Sequence, residues 1–197
     1  MKIVLMNMVK IYDEKNNKVL VLDKKKKYGW EGLTFPGGKV EKNESFENSV
    51  IREAKEETNL EIKNPKFVGI ITWAFTNDKG EFQKDVGLLY QTNDFSGKLI
   101  EDNREGKLFW KDYYEFKKMD KMSESMPEIL KIYDGKYREI YWDVDKDRKK
   151  FYWFLNLKSN QFFSYDILSL KICIFCQLIE ILPRSFFLFL CYTFKRN

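Results

Sequence analysis

The residues best placed to do chemistry are three glutamates, Glu53, Glu56 and Glu57, spaced i, i+3 and i+4. On a helix this spacing gathers them within about 100° of arc on one face. Val50 and Ala54 lie on the adjoining face, so the acidic ridge should border the buried side. Like charges at these separations repel by a few tenths of a kcal/mol per pair, and something positive should offset that. Arg52 is one candidate, at i, i+4 to Glu56 and next to Glu53. A divalent cation is the other. Carboxylate oxygens on a rigid helix suit Mg²⁺, or Mn²⁺ in its place, and such an ion takes further ligands from water and substrate phosphates. It neutralises phosphate charge and lowers the pKa of a bound water. Alone, the ridge would read as a solvated charged face. Its setting argues otherwise. Gly37-Gly38 form a turn whose backbone can approach a ligand closely, Lys39 can reach a phosphate as a point charge, and Glu44 precedes the helix cap.

Composition narrows the chemistry further. The 197 residues include no histidine. That excludes Ser-His-Asp and Cys-His nucleophiles, H-E-x-x-H zinc sites and facial-triad irons. Acid–base work falls to carboxylates, Lys, Tyr or Cys. The net charge of +5 suits an anionic small molecule and is too weak to indicate a nucleic-acid polymer as partner. The N-terminus reads as a strand, since its apolar run is interrupted by Asn7 and Lys10 and has no small-residue cleavage site. The expected location is the cytoplasm.

Several elements must position these groups. Residues 3–12 and 18–23 look like two strands joined by the turn-rich Asp13–Asn17. Ser45–Thr58 switches to helical period, with Ser45 as cap and Asn59 as a left-handed stop. Phe67–Phe75 and Phe82–Thr92 read as strands flanking an Asn77–Gly80 hairpin turn. A short strand is expected at Lys107–Lys111, helices at Tyr113–Met119 and Ser123–Tyr133, and a last hairpin from Arg138–Val144 and Lys150–Phe154. Hairpins outnumber crossovers, which implies a mixed sheet with helices packed on it.

The composition changes near residue 154. Residues 154–197 hold 8 of the 17 Phe, only two acids, no glycine, and all three cysteines, Cys173, Cys176 and Cys191. The expected organisation is therefore one domain, 1–153, and a Phe-rich tail, 154–197. The longest uncharged run of the tail, Ser185–Phe194, is too short to span a bilayer, leaving docking on the domain, contact with a membrane surface, or a segment not shaped by folding. A single C-x-x-C pair is a weak metal or redox signal.

Gly38, five residues, Glu44, seven residues, then Arg52-Glu53-Ala54-Lys55-Glu56-Glu57-Thr58-Asn59-Leu60 resembles the Nudix box, G-x5-E-x7-R-E-U-x-E-E-x-G-U, where U is a bulky aliphatic. Six of its seven fixed letters are met. Asn59 replaces the final Gly but tolerates the left-handed conformation, and Ala54 replaces a larger aliphatic. The resemblance implies an α/β/α sandwich that hydrolyses a nucleoside diphosphate linked to another group with Mg²⁺. Glu53, Glu56, Glu57 and the Gly38 carbonyl would be metal ligands. One of these glutamates, or a downstream acid, would take the proton of the attacking water, Arg52 would orient Glu53, and Glu44 would be a supporting residue. Gly29-Trp30 and Phe35-Pro36-Gly37-Gly38-Lys39-Val40-Glu41 are similar to MutT-like diphosphatases that cleave 8-oxo-dGTP to keep the nucleotide pool clean for DNA repair. Glu105 sits where such enzymes often carry a further metal-binding or base glutamate. Lys39, Gly37, Gly38 and the Lys24–Lys27 run would face phosphate. Phe35, Trp73 or Trp110 could stack on a purine, and Asp120 could read its edge. The resemblance also leaves open ADP-ribose or a dinucleoside polyphosphate as substrate, a nucleotide sensor without turnover, and a monomer or homodimer.

Overall fold

The computed structural model describes residues 1–25 and 31–152. The chain opens with β1 (Lys2–Asp13), β2 (Lys18–Lys24) and β3 (Gly32–Thr34), then α1 (Phe46–Thr58). It continues through β4 (Glu61–Lys63), β5 (Lys66–Thr76), β6 (Phe82–Thr92), β7 (Asp94–Ser96) and β8 (Gly106–Asp112). Helices α2 (Tyr113–Phe116) and α3 (Met126–Tyr133) precede a final pair, β9 (Glu139–Asp143) and β10 (Arg148–Tyr152). Strands run in the order β10-β9-β5-β6-β1-β2-β3, with β8 on β2 and a separate β4-β7 pair. The β1-β6 and β5-β9 pairs are parallel and the others antiparallel, which makes the sheet mixed as expected.

Strand alternation divides the core into two layers. Val9, Ile11, Leu20, Leu22 and Leu88 point to one face and pack with Val50 and Ala54 of α1. Val19, Val21, Ile71 and Leu89 point to the other and pack with Phe116 of α2 and Met126, Ile129 and Ile132 of α3. The sheet therefore lies between α1 and the α2–α3 pair. Among the described residues no helix is long and apolar enough to cross a membrane.

Local chemistry explains where elements start and stop. Ser45 caps α1, its side chain accepting from the Asn48 N–H at 3.0 Å. Asn59 ends it at φ 61°, donating its N–H to Lys55 O. Two expectations need correction. The second-last helix is short, Tyr113–Phe116, with the Asp112 carboxylate accepting from the Glu115 N–H. The last helix starts at Met126 rather than Ser123, which lies in a turn: Ser123 O accepts from the Met126 N–H at 2.9 Å while the Ser123 N–H donates to Leu33 O at 3.0 Å. Pro127 falls in its first turn, where a missing N–H leaves no intrahelical bond unmade. Strands β3, β4 and β7, three residues each, carry no readable period. Gly29-Trp30, Lys26, Lys27, the three cysteines and the tail all lie outside the described residues.

Candidate active site

The loop Pro36–Val40 runs along β1. Pro36 O and Gly38 O accept from the Val9 and Asn7 N–H groups at 2.9 and 2.8 Å, and Val40 donates to Leu5 O at 3.0 Å. This stitching places Gly37 and Gly38 between β1 and α1. A Cβ at Gly37 would fall onto the Asn7 backbone, and one at Gly38 onto the Glu53 carboxylate. The absent side chain at Gly38 is therefore what makes room for Glu53. We expect Gly38→Ala to displace the Glu53 carboxylate, the flexible end of a side chain, with little change in stability. Steady-state turnover should fall while thermal melting stays near the parent's, and parental turnover would refute this reading.

Arg52 organises the exposed side of the ridge. Its Nε and Nη2 donate to the two Glu44 oxygens at 3.0 and 2.8 Å, a forked contact. Nη1 reaches Glu53 Oε1 at 2.9 Å and Glu56 Oε2 at 3.2 Å, and Nη2 also donates to Lys39 O at 3.1 Å. Hydrogen bonds from Arg52 first, and then from the Glu41 N–H, hold the Glu44 carboxyl down at about 2. Glu44 thus supports Arg52, which in turn orients Glu53, a second route for the arginine's charge beside the Glu56 pair anticipated from spacing.

The inner side is drier. Glu57 is 6% exposed and accepts from the Gly37 N–H at 2.9 Å. Burial pushes its carboxyl up to about 8 against the pull of the Gly37 N–H, and the charges of Glu105 and Glu53 add to the rise while Lys24 opposes it. Burial also raises Glu53, against the hydrogen bond from Arg52. Glu105 stands on the loop before β8 as an ion-pair partner of Lys24, 3.0 Å from Nζ to Oε2, without the angle of a directed hydrogen bond.

One residue that spacing did not reveal ties the two acidic segments together. The Asn103 side chain donates to Glu57 O at 2.8 Å, near the end of α1, and accepts from the Glu105 and Gly106 N–H groups at 2.7 and 2.9 Å. Its sequence signal was no more than an Asn two positions before Glu105. Asn7, likewise unmarked, donates to Ser49 Oγ at 2.7 Å beneath the Gly-Gly turn.

Glu53, Glu56, Glu57, Asn103, Arg104 and Glu105 line an open cleft of about 400 Å³. The structure thus brings together the ridge, Arg52, Gly37, Gly38 and Glu105. Lys39 is exposed at the rim, and its main chain rather than its ammonium holds Arg52. Among the described residues no three acidic side chains converge tightly enough to enclose a cation as they stand. Each is drawn aside by its own partner: Glu53 by Arg52, Glu57 by Gly37, Glu105 by Lys24. The donor set nevertheless fits a hard divalent ion, being all oxygen and short of positive charge where Glu57 is most buried.

The aromatic expectations fare differently. Phe35 is 2% exposed, its ring against Phe116 and Tyr133 with centroids 5.3 Å away in each case. Its faces are occupied by the α2–α3 core layer, so it is corrected from a purine platform to a core residue. Trp73 is buried in the same layer, and Trp110 packs on Phe95 at 5.1 Å. Asp120 lines a different surface cavity with α3, apart from the acidic cleft.

Residues 2–133 match the NUDIX domain. The chain is 34% identical over 97 residues to the uncharacterized Nudix hydrolase YvcI of Bacillus subtilis (strain 168), a match covering 49% of this chain and 60% of that protein. It is 28% identical over 123 residues to the ADP-ribose pyrophosphatase of Methanocaldococcus jannaschii, covering 61% of this chain and 68% of that one. Among solved structures, the MutT protein of Bacillus halodurans is similar with a TM-score of 0.59 and 26% identity, over 72% of this chain and 92% of that chain.

Proposed function

Because the chain belongs to the NUDIX domain family, we propose that it hydrolyses a phosphoanhydride in a nucleoside diphosphate derivative, acting on a small-molecule nucleotide in the cytoplasm. The specific reading is an 8-oxo-dGTP-like triphosphate cleaved to a nucleoside monophosphate and pyrophosphate. One observation carries the proposal: Glu53, Glu56, Glu57 and Glu105 line one cleft, with Glu57 buried and its carboxyl raised by burial and by the charges of Glu105 and Glu53. Such a cleft is built for a cation-bearing polyphosphate.

Glu53, Glu56, Glu57, the Gly38 carbonyl and Glu105 would hold Mg²⁺, or Mn²⁺. When bound, that ion supplies charge neutralisation for the phosphate oxygens and a more acidic water. The chain's own residues do the rest. Arg52 fixes Glu53 and Glu56 from one side, and the Gly37 N–H fixes Glu57 from the other. A carboxylate of the ridge, or Glu105, accepts a proton as water oxygen bonds to phosphorus and the bridging P–O bond breaks toward the leaving phosphate. Lys39 and the Gly37–Gly38 backbone would face the phosphate chain.

A second reading, hydrolysis of ADP-ribose, is favoured by the similarity to the Methanocaldococcus ADP-ribose pyrophosphatase. The full chain, incubated with Mg²⁺ and a panel of 8-oxo-dGTP, ordinary dNTPs, ADP-ribose and dinucleoside polyphosphates, should convert at least one. Pyrophosphate from 8-oxo-dGTP supports the first reading; AMP and ribose phosphate from ADP-ribose support the second. Tight binding without product from any of them would point to a sensor and overturn the proposal.

A further inference from the structure

A cationic pocket, distinct from the acidic cleft, lies at the far end of β1, on the sheet face opposite α1. Lys10 shares that face with Met8 and Tyr12, and its side chain is 8% exposed. Its ammonium sits over the rings of Tyr113, Tyr133 and Tyr12, at 4.9, 5.3 and 5.8 Å from their centroids. Ring faces offset part of the lost hydration but accept none of the three N–H bonds of an ammonium. Among the described residues no oxygen takes them in a hydrogen bond or ion pair. Asp134, the acid that acts on Lys10 most, is already held by the Tyr113 hydroxyl at 2.7 Å and by Lys117 at 3.3 Å. Buried charges are normally paired, so this one is short of a partner.

The space next to it is a cavity of about 270 Å³, and Lys66 supplies a second cation to its wall. Gln91 adds an amide, whereas the Asn64 amide already donates to Asp94 at 3.0 Å. The one acid of the lining, Glu14, is engaged by the Asn93 side chain at 2.7 Å. Two lysines and the Gln91 amide around a small volume suit a ligand with more than two acceptor oxygens, which a tetrahedral phosphate has and a carboxylate lacks. Burial lowers the Lys10 pKa, and an anion beside the ammonium would act against that burial.

We propose that Lys10 and Lys66 form a phosphate-binding site, separate from the acidic cleft, for a phosphate-class oxyanion. The inference does not depend on the hydrolytic reading, since it uses none of the cleft's residues.

The test is amide NMR of the full ¹⁵N-labelled chain, without divalent metal and at constant ionic strength. Inorganic phosphate and glycerol 3-phosphate are titrated separately. The amides of Gln91, Thr92, Asn93 and Asn64 should shift and saturate. Saturation by inorganic phosphate alone identifies the free ion, and tighter saturation by the ester identifies a phosphorylated metabolite; either supports the site. Lys10→Met should weaken the binding at least about tenfold, as loss of a buried charge partner does, and the exposed Lys66→Ala by about threefold or more. Because Lys66 is on the surface, its variant keeps the test decisive should Lys10→Met fold poorly. No saturable shift with either phosphate, or equal affinity in the folded variants, overturns the proposal.

Discussion

Glu57→Gln should cut turnover by about 10²-fold or more while making the metal-free protein more stable at pH 8. The two effects share one cause. The Glu57 carboxyl is buried beside Glu53 and Glu105 and is pushed up to about 8. In the unfolded chain it titrates at about 4.3. For an acid whose folded value is raised, the folded state binds more protons than the unfolded one between the two values. Its contribution is therefore fully present below about pH 4.3 and is lost as pH rises through about 8. Within that window stability should fall by up to about 1.4 kcal/mol per pH unit. Glutamine cannot ionise, yet its amide oxygen can still accept the Gly37 N–H, so its unfolding curve should be flatter across the same range. Mg²⁺ should raise the melting temperature of the parent far more than that of the variant. Turnover should drop by about 10²-fold or more if Glu57 is the metal ligand proposed above, because that oxygen has lost its charge. Chemical denaturation from pH 5 to 9, with and without Mg²⁺, measures all of this. A variant less stable than the parent in metal-free buffer at pH 8 would show that Glu57 is a structural acceptor and not a charge held ready for a cation.

The second large effect is expected at Arg52. Its guanidinium makes a forked contact with Glu44 and reaches Glu53, Glu56 and Lys39 O at the same time. Lysine keeps the charge but not the planar fork, so Arg52→Lys can serve only some of these partners. Glu53 would lose its fixed orientation, and kcat should fall by about 10- to 100-fold, the range typical of groups that orient metal ligands. With the arginine side chain 24% exposed, the stability loss should stay near about 1–2 kcal/mol. The acid limb of the stability profile offers an independent readout. Glu44 is depressed to about 2, so its contribution is present above about pH 4.3 and is lost as pH falls through 2. Arg52→Lys should shrink that limb, and a profile identical to the parent's between pH 2 and 5 would mean the fork contributes nothing in solution.

Much of the fold and the centre of the site were legible because they are local. The i, i+3, i+4 glutamates, the Ser45 cap and the Asn59 stop all lie within one helix, where geometry follows from spacing. The long strands announced themselves as apolar runs bounded by turns, and the turns gave the β1-β2, β5-β6 and β9-β10 hairpins. The parallel β1-β6 and β5-β9 pairs and the short strands β3, β4 and β7 did not show, because three residues carry no period and such pairing is set between distant segments.

The amino-acid sequence by itself determined that an acidic ridge would stand on a capped helix behind a Gly-Gly turn, and that histidine chemistry was excluded. Only the tertiary structure decided what each group experiences. It buried Glu57 against the Gly37 N–H, set Lys24 on Glu105, used Asn103 to bridge the end of α1 to the Glu105 loop, and enclosed Phe35 between α2 and α3. Spacing along a helix fixes direction, whereas burial and charge balance depend on which distant segments pack alongside. The same division explains Lys10, which looked like an interruption in an apolar strand until three tyrosines closed around it.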